Sequence, residues 1–260
     1  MNTRLFSSLL QIAAYTSLAV AESAPDGARV MGNVYNRPAG KDMKASLTMT
    51  LRNAGGDTRV RTIQQFLKTG NDVEKKLMFF LEPADVRNTA FMNWSYTEAG
   101  KNDDQWIYLP ALKRIKRISS SGKSDYFMGS DFTYDDLGDR HPEEDTHRVT
   151  GTREIDGREC FVVESVPREE GYMYSRTVTW VVDDLWIGLK KEFYDEQGRL
   201  LKVLSVKEYG EIDGYWTVTR TEMHNVQKGH TTIMELSNIE YDTGIADNLF
   251  SERTMQRGVR

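Results

Sequence analysis

The sequence is poor in the residues and motifs that carry out chemistry. Cys160 is the only cysteine among 260 residues, so no disulfide can form within the chain. Its setting, Glu159-Cys160-Phe161-Val162-Val163, is typical of a strand and indicates a small buried hydrophobic residue. The sequence contains no Gly-x-Ser-x-Gly elbow, phosphate-binding loop or dinucleotide fingerprint. The net charge of -5 gives no reason to expect nucleic acid as a partner.

Candidate metal ligands and acid–base pairs are equally sparse. His141 and His147 delimit one cluster of His and acidic residues, but its spacing fits no standard zinc pattern and resembles a solvated loop. Three pairs of adjacent acids, at 103–104, 135–136 and 183–184, would point to opposite faces of a strand. We therefore predict a protein that is not an enzyme and holds no metal or cofactor. A hydrolase that uses the acids near His141 remains the enzymatic alternative.

The N-terminal residues have the pattern of a secretory signal peptide. Arg4 precedes a mostly apolar run from Leu5 to Val20, and Ala19-Val20-Ala21 fits the small-x-small cleavage site. The run is too short and too interrupted for a good transmembrane helix. No cysteine follows it that could carry a lipid anchor. We predict a signal peptide over residues 1–21 and a single exported domain over residues 22–260.

Alternation of apolar and polar residues dominates the rest of the chain. In Met43–Arg52 the odd positions through Leu51 are apolar and the even positions polar, which indicates a strand with one dry face. After a short helix over 25–35, strands are predicted at 43–53, 58–69, 74–82, 89–96, 105–109, 113–118, 147–152, 159–166, 175–183, 187–195, 199–209, 215–225 and 230–241. Residues 119–147 are too rich in aromatics for a linker, and we expect a folded loop or short helices across the sheet.

Such a series of strands predicts one large antiparallel sheet, whose dry face must be covered. A curved sheet of this kind either closes around its own side chains or stays partly open and holds an apolar ligand. Several strands have one strongly apolar face, for example Leu77 with Phe79 and Val178 with Trp180. An error of one residue in register would exchange the two faces of any strand.

Three segments resemble a known family. They are Met43–Leu51, Trp106–Pro110 followed by Arg114–Ile118, and above all Gly129-Ser130-Asp131-Phe132-Thr133-Tyr134-Asp135-Asp136-Leu137. With these segments the chain resembles the LolA-like family of outer-membrane lipoprotein-sorting proteins, in particular a periplasmic and poorly characterised branch. The resemblance spans residues 25–258.

The resemblance implies a mainly β fold, an unclosed antiparallel β-barrel of about eleven strands with short helices as a lid. It implies a soluble periplasmic carrier that binds acyl chains of lipoproteins or lipids in a hydrophobic cavity and moves them between the inner and outer membranes. Its partners would be an inner-membrane exporter of the resistance–nodulation–division type and an outer-membrane acceptor. The alternative is a periplasmic adaptor module of such an exporter, with a core filled by side chains and no cargo.

The alternation of apolar and polar residues and the family resemblance together predict two groups of site residues. The cavity candidates are Leu47, Met49, Leu51, Leu77, Phe79, Phe91, Trp106, Tyr108, Trp180 and Trp216. The lid candidates are Phe127, Met128, Asp131, Phe132, Tyr134, Asp135 and Asp136. We expect the three lid aspartates to fix the loop by capping and turn hydrogen bonds, with docking of a partner as the lesser alternative.

Overall fold

The fold is one long sheet with a helix near each end of the chain. The computed structural model describes residues 25–258, so the predicted signal peptide lies outside the described residues. The helices are α1 (Gly27–Tyr35) and α2 (Glu252–Arg257). The strands are β1 (Asp42–Arg52), β2 (Thr58–Thr69), β3 (Val73–Glu82), β4 (Ala90–Tyr96), β5 (Asp104–Leu109), β6 (Arg114–Arg117), β7 (Asp145–Ile155), β8 (Arg158–Pro167), β9 (Arg176–Val182), β10 (Ile187–Tyr194), β11 (Leu200–Ile212), β12 (Tyr215–Asn225) and β13 (His230–Tyr241). Within residues 25–258, neither helix has the length and apolar character needed to cross a membrane.

In the part of the chain that the structure describes, all strands belong to a single antiparallel sheet of thirteen strands, in the order β6-β5-β4-β3-β2-β1-β13-β12-β11-β10-β9-β8-β7. Every neighbour is also a neighbour in sequence except β1 and β13, which join the two halves through pairs such as Met49 and Met234. The edge strands β6 and β7 do not pair with each other, so the sheet is unclosed. The predicted fold class is confirmed, with thirteen strands where the resemblance implied about eleven. The thirteen alternating segments of the sequence match these strands one for one.

Two features shape the sheet and its edge. Register shifts interrupt the ladders, for example between Lys44 and Ser46 and between Gly188 and Lys190, and such bulges bend and twist a sheet. At the edge, Arg114 and Lys116 on β6 are exposed. Charged side chains on an edge strand discourage pairing with another chain.

The two faces of the sheet are covered by different parts of the chain. We call the face that carries Met49 and Phe91 the inner face; on it the segment 119–144 lies as a series of 3-10 turns. The prediction that this region is folded across the sheet is confirmed. The outer face of β2 to β5 is covered by the C-terminal segment, whose Phe250 and Met255 are buried there.

Asp42 fixes the C-terminal segment to the start of β1. Its carboxylate accepts hydrogen bonds from the backbone amides of Thr243 at 2.8 Å, Gly244 at 3.0 Å and Ile245 at 3.1 Å. One buried acid thereby satisfies three successive amides as the chain leaves β13, which directs the chain towards the outer face.

Candidate ligand cavity

A cavity of about 530 Å³ lies between the inner face of the sheet, α1 and the segment 132–145. Its wall includes residues from β1 to β3 and from β8 to β13, so the sheet wraps around it. The volume is within the range of ordinary small-molecule sites. The apolar side chains of the wall are Met31, Val34, Met43, Leu67, Phe132, Phe193, Leu204, Trp216, Val218, Met223 and Leu236.

Helix α1 covers one side of this cavity. The Asp26 carboxylate accepts a hydrogen bond from the Ala28 amide at 3.2 Å and caps the helix. Val30 is fully buried against Val163 and Val181 of the sheet, and Val34 lines the cavity. The helix approaches β7 so closely that residue 27 must be glycine. A Cβ atom there would lie 2.7 Å from the His147 carbonyl carbon.

The segment Phe127–Leu137, which we call the plug, fills the inner face beside the cavity. Phe127, Phe132 and Leu137 are buried, and Met128 and Tyr134 pack beside them. The ring centroids of Phe127 and Phe91 are 5.1 Å apart, a favourable distance for tilted aromatic rings. The plug covers the inner face as a lid would, but it also occupies the space at that end of the sheet.

Two aspartates of the plug bind distant strands. The Asp131 carboxylate lies 2.7 Å from His230 Nδ1 and accepts a hydrogen bond from Thr232 Oγ1 at 2.7 Å, both on β13. Asp136 forms an ion pair with Lys202 of β11, whose side chain is completely buried. Long-range bonds to the sheet therefore add to the predicted local capping.

Tyrosines of the β8–β9 connection complete this hydrogen-bond network. The Tyr174 hydroxyl donates to Asp136 at 3.0 Å and the Tyr172 hydroxyl donates to Asp135. Burial raises the pKa of Asp135 and of both tyrosine hydroxyls, so the tyrosines remain protonated donors. Local bonds also form, since the amide of Thr133 donates to Asp136 at 2.6 Å.

The predicted cavity residues do not form one surface. Leu47, Met49, Leu51 and Phe91 lie on the inner face and pack in the same cluster as the plug. Their contact with lipid stays a prediction and requires the plug to move. Trp216 lines the cavity. Trp180 does not, and its predicted place is corrected: it is the register partner of Lys190, on the face opposite to Lys191, and packs against a cluster that contains Cys160.

Four other candidates are corrected by the structure. Leu77, Phe79, Trp106 and Tyr108 lie on the outer face, under the C-terminal segment. The reason is local: Leu77 to Phe80 are four consecutive buried apolar residues, so β3 is dry on both faces and alternation could not show which side faces inward. The inner-face pair is Met78 and Phe80.

Charged groups line the cavity beside the apolar ones. Lys191 of β10 lies on the wall, where burial lowers the pKa of its ammonium group while Asp136 and Asp145 oppose that change. On another part of the wall, desolvation and the neighbouring Glu74 carboxylate raise the pKa of Asp139 to about 7. The cavity therefore suits an amphiphilic molecule better than a purely apolar one.

The histidines near the cavity have structural contacts. His147 Nε2 lies 2.8 Å from the Pro142 carbonyl and must donate to it, which leaves Nδ1 to accept from the Ser165 hydroxyl at 2.7 Å. His141 Nδ1 accepts from the Glu143 amide at 3.2 Å. Within residues 25–258, no group of three or more His, Cys, Asp or Glu side chains is placed to share a metal ion.

Sequence reasoning missed two lysines of this region, Lys191 and Lys202. A signal was present, because each lysine occupies a position that alternation assigns to an apolar face. Lys191 shares its face with Phe193, and Lys202 with Leu204. A charge at such a position indicates a buried pair or a binding group.

The sequence and fold of this chain are similar to those of known proteins. A family model described as "Uncharacterized protein" matches residues 72–257. No curated protein matches the chain. A crystal structure described as an outer-membrane lipoprotein-sorting protein domain, from Vibrio parahaemolyticus, is 36% identical, with 89% of this chain and 98% of that chain covered and a TM-score of 0.83.

Two further solved structures are similar. A DUF1329 family protein from Desulfovibrio piger is 31% identical, with 88% of this chain and 97% of that chain covered and a TM-score of 0.83. The LolA superfamily protein NE2245 from Nitrosomonas europaea is 19% identical over 88% of this chain and 99% of that chain, with a TM-score of 0.69, and shows the fold alone. The chain belongs to the DUF1329 family, and its resemblance to LolA-like lipoprotein-sorting proteins is confirmed.

Proposed function

We propose that this protein is a periplasmic carrier that holds the acyl chain of a lipid or lipoprotein in the cavity and moves it between the inner and outer membranes. The observation that carries the proposal is the cavity of about 530 Å³ that remains beside the plug. A core filled by its own side chains would leave no such space. The relative from Vibrio parahaemolyticus, described by its role in lipoprotein sorting, supports the same class of cargo.

The physical basis is transfer of apolar surface out of water. Each buried methylene of an acyl chain is worth about 0.8 kcal/mol. Val34 of α1 and Leu204 and Leu236 of the sheet supply apolar contacts from opposite sides of the cavity. Binding of this kind needs no covalent step, and release needs only an acceptor that binds the chain more tightly.

A carrier of this kind would work in the periplasm, between a donor and an acceptor. Residues 1–21 direct export and are removed, and residues 22–260 act as one domain in the periplasm. A donor at the inner membrane, such as an exporter of the resistance–nodulation–division type, would load the carrier, and an outer-membrane acceptor would unload it. N-terminal sequencing of the protein from a periplasmic fraction tests the first part, since the mature chain should begin at Glu22.

Lipid content of the purified protein tests the carrier function. We expect native mass spectrometry of protein from its host's periplasm to show a bound lipid, and extraction to recover it. Leu204→Trp should place a bulky ring where the acyl chain would lie and reduce the amount of bound lipid. Val166→Trp is the matched control, because Val166 is 42% exposed and does not line the cavity.

Overpacking can destabilise a protein, so the thermal unfolding of both variants must be compared with the wild type. Loss of lipid from a folded Leu204→Trp variant, with lipid retained in Val166→Trp, supports a carrier. A wild-type protein free of lipid that also binds no added amphiphile would contradict the proposal and favour an adaptor without cargo.

A further inference from the structure

Lys191 lies among polar groups on one stretch of the cavity wall. Its register partners are Thr179 on β9 and Leu204 on β11, so these side chains share its face. Thr177 lies two residues before Thr179 on that face and lines the cavity. Directly opposed side chains on neighbouring antiparallel strands have Cβ atoms about 5 Å apart. Thr179 is therefore a direct neighbour of Lys191, whereas Thr177 lies opposite Phe193 and is a diagonal neighbour about 7–8 Å away.

Lys191 differs from the other cations of the cavity wall because its ammonium group has no hydrogen-bond or ion-pair partner among the described residues. Among residues 25–258, no hydrogen bond or ion pair reaches its ammonium group, and the Phe193 ring centroid lies 5.1 Å away. The other cavity cations are engaged. Arg140 pairs with Asp145 at 2.8 Å, and Lys76 donates to the Leu137 carbonyl at 2.9 Å. A desolvated ammonium group without an acceptor is costly unless a bound ligand compensates its charge.

The two acids whose charges act most strongly on Lys191, Asp136 and Asp145, are occupied by other groups. Asp136 binds Lys202 and the Tyr174 hydroxyl, and Asp145 binds Arg140. The Thr179 hydroxyl is buried and has no hydrogen-bond partner within the described chain. Lys191 on the cavity wall and the buried Thr179 hydroxyl beside it on the same face both lack an acceptor, and such a pair is suited to the oxygens of an anion.

We propose that Lys191, with the hydroxyls of Thr177 and Thr179, forms a headgroup subsite that binds the phosphate or carboxylate of an anionic amphiphile. The acyl chain then lies along Leu204 and Leu236 and beneath Val34 of α1. This inference deepens the proposed carrier function and rests on it. Phosphate and carboxylate groups both present anionic oxygens to Lys191. In this proposal the group belongs to the head of the same lipid whose acyl chain lies in the cavity.

Binding of two amphiphiles with one acyl chain tests the subsite. Oleoyl lysophosphatidic acid carries a phosphate, and monooleoylglycerol carries none. Delipidated wild-type protein should bind the phosphate-bearing molecule about tenfold more tightly, as expected for a hydrogen bond to a charged group. Lys191→Met should abolish this preference and leave monooleoylglycerol affinity unchanged. Inorganic phosphate alone should bind weakly, because it has no chain.

Lys190→Met is the matched control. Lys190 is one residue away and carries the same charge, but it pairs with Glu192 at 2.7 Å on the other face of β10. This variant should keep the tenfold preference. Equal affinities of the wild type for both amphiphiles, or an unchanged preference in Lys191→Met, overturn the subsite and leave the carrier intact. Tight binding of phosphate alone shows a free-anion site and also overturns the inference. Failure of both amphiphiles to bind refutes the carrier itself.

Discussion

Removal of the Lys202 ammonium group should release the plug from the sheet. The Lys202 side chain is 0% exposed and its partner Asp136 is 5% exposed. The ammonium group also donates to the Asp131 carbonyl at 3.0 Å. Lys202→Met keeps most of the side-chain volume but leaves the Asp136 carboxylate buried with neutral donors only, the Tyr174 hydroxyl and the Thr133 amide.

The size of the effect follows from the burial of both partners. Breaking a buried ion pair by removal of one partner costs about 3–5 kcal/mol. In a domain of this size, such a loss lowers the melting temperature by roughly 6–20 °C. Denaturant unfolding and calorimetry of Lys202→Met measure both quantities. Hydrogen exchange should show the largest loss of protection in Phe127–Leu137, because that segment depends on the pair.

A double-mutant cycle separates this pair from general damage to the core. Asp136→Asn keeps the shape of the side chain and removes its charge, so Asp136→Asn combined with Lys202→Met should cost less than the sum of the two single changes. Arg220→Met is the control, because Arg220 and its partner Glu235 are 38% and 44% exposed. Loss of such an exposed ion pair should lower the free energy of unfolding by less than about 1 kcal/mol. A cost of under about 1 kcal/mol for Lys202→Met, or strictly additive effects in the cycle, would refute the assigned role of the pair.

Three further changes test other parts of the structure. Gly27→Ala should push α1 away from β7, since the new Cβ would lie 2.7 Å from the His147 carbonyl carbon, and hydrogen exchange in α1 should accelerate; unchanged exchange would contradict that packing. Phe250→Ala should cost about 3–5 kcal/mol in denaturant unfolding because the ring is 2% exposed, and a cost below 1 kcal/mol would show that the C-terminal segment is not part of the core. Asp139 has a folded-state pKa of about 7 against an ordinary 3.8, so the folded protein binds this proton more tightly than the unfolded chain and stability should fall as the pH rises from 4 to 7. Asp139→Asn should flatten that fall in melting temperature, and an unaltered slope would contradict the assignment.

Strand positions could be predicted well because each strand is marked locally. The last strand, β13, was predicted at 230–241 and is observed at His230–Tyr241, and β1 was predicted at 43–53 and is observed at Asp42–Arg52. Turn residues such as Asp213-Gly214 separate one alternating segment from the next. Antiparallel neighbours then follow from short connections, and most of the sheet order needs no long-range information.

The inward direction of each strand could not be predicted in the same way. Which face of β3 points inward depends on the segments that pack against it. The plug covers one face and the C-terminal segment covers the other. Those contacts join residues far apart in sequence, for example Phe79 with Phe250 in one cluster. A strand with two apolar faces can turn either face inward, and only the packing of the two covering segments decides between them. The predicted cavity residues therefore lie in three different hydrophobic clusters, although each of them was correctly placed in a strand.

Lysines on apolar faces show how sequence and structure combine. Alternation places Lys191 and Lys202 on dry faces, and for a charged residue this position is costly unless something compensates. The sequence cannot say what compensates, because the partner of Lys202 is Asp136, 66 residues away. The structure separates the two cases: one lysine holds the plug through a buried carboxylate, and the other faces the cavity with no acceptor in the described chain. The same sequence signal thus marks a structural bond in one place and, by our proposal, the point of ligand recognition in the other.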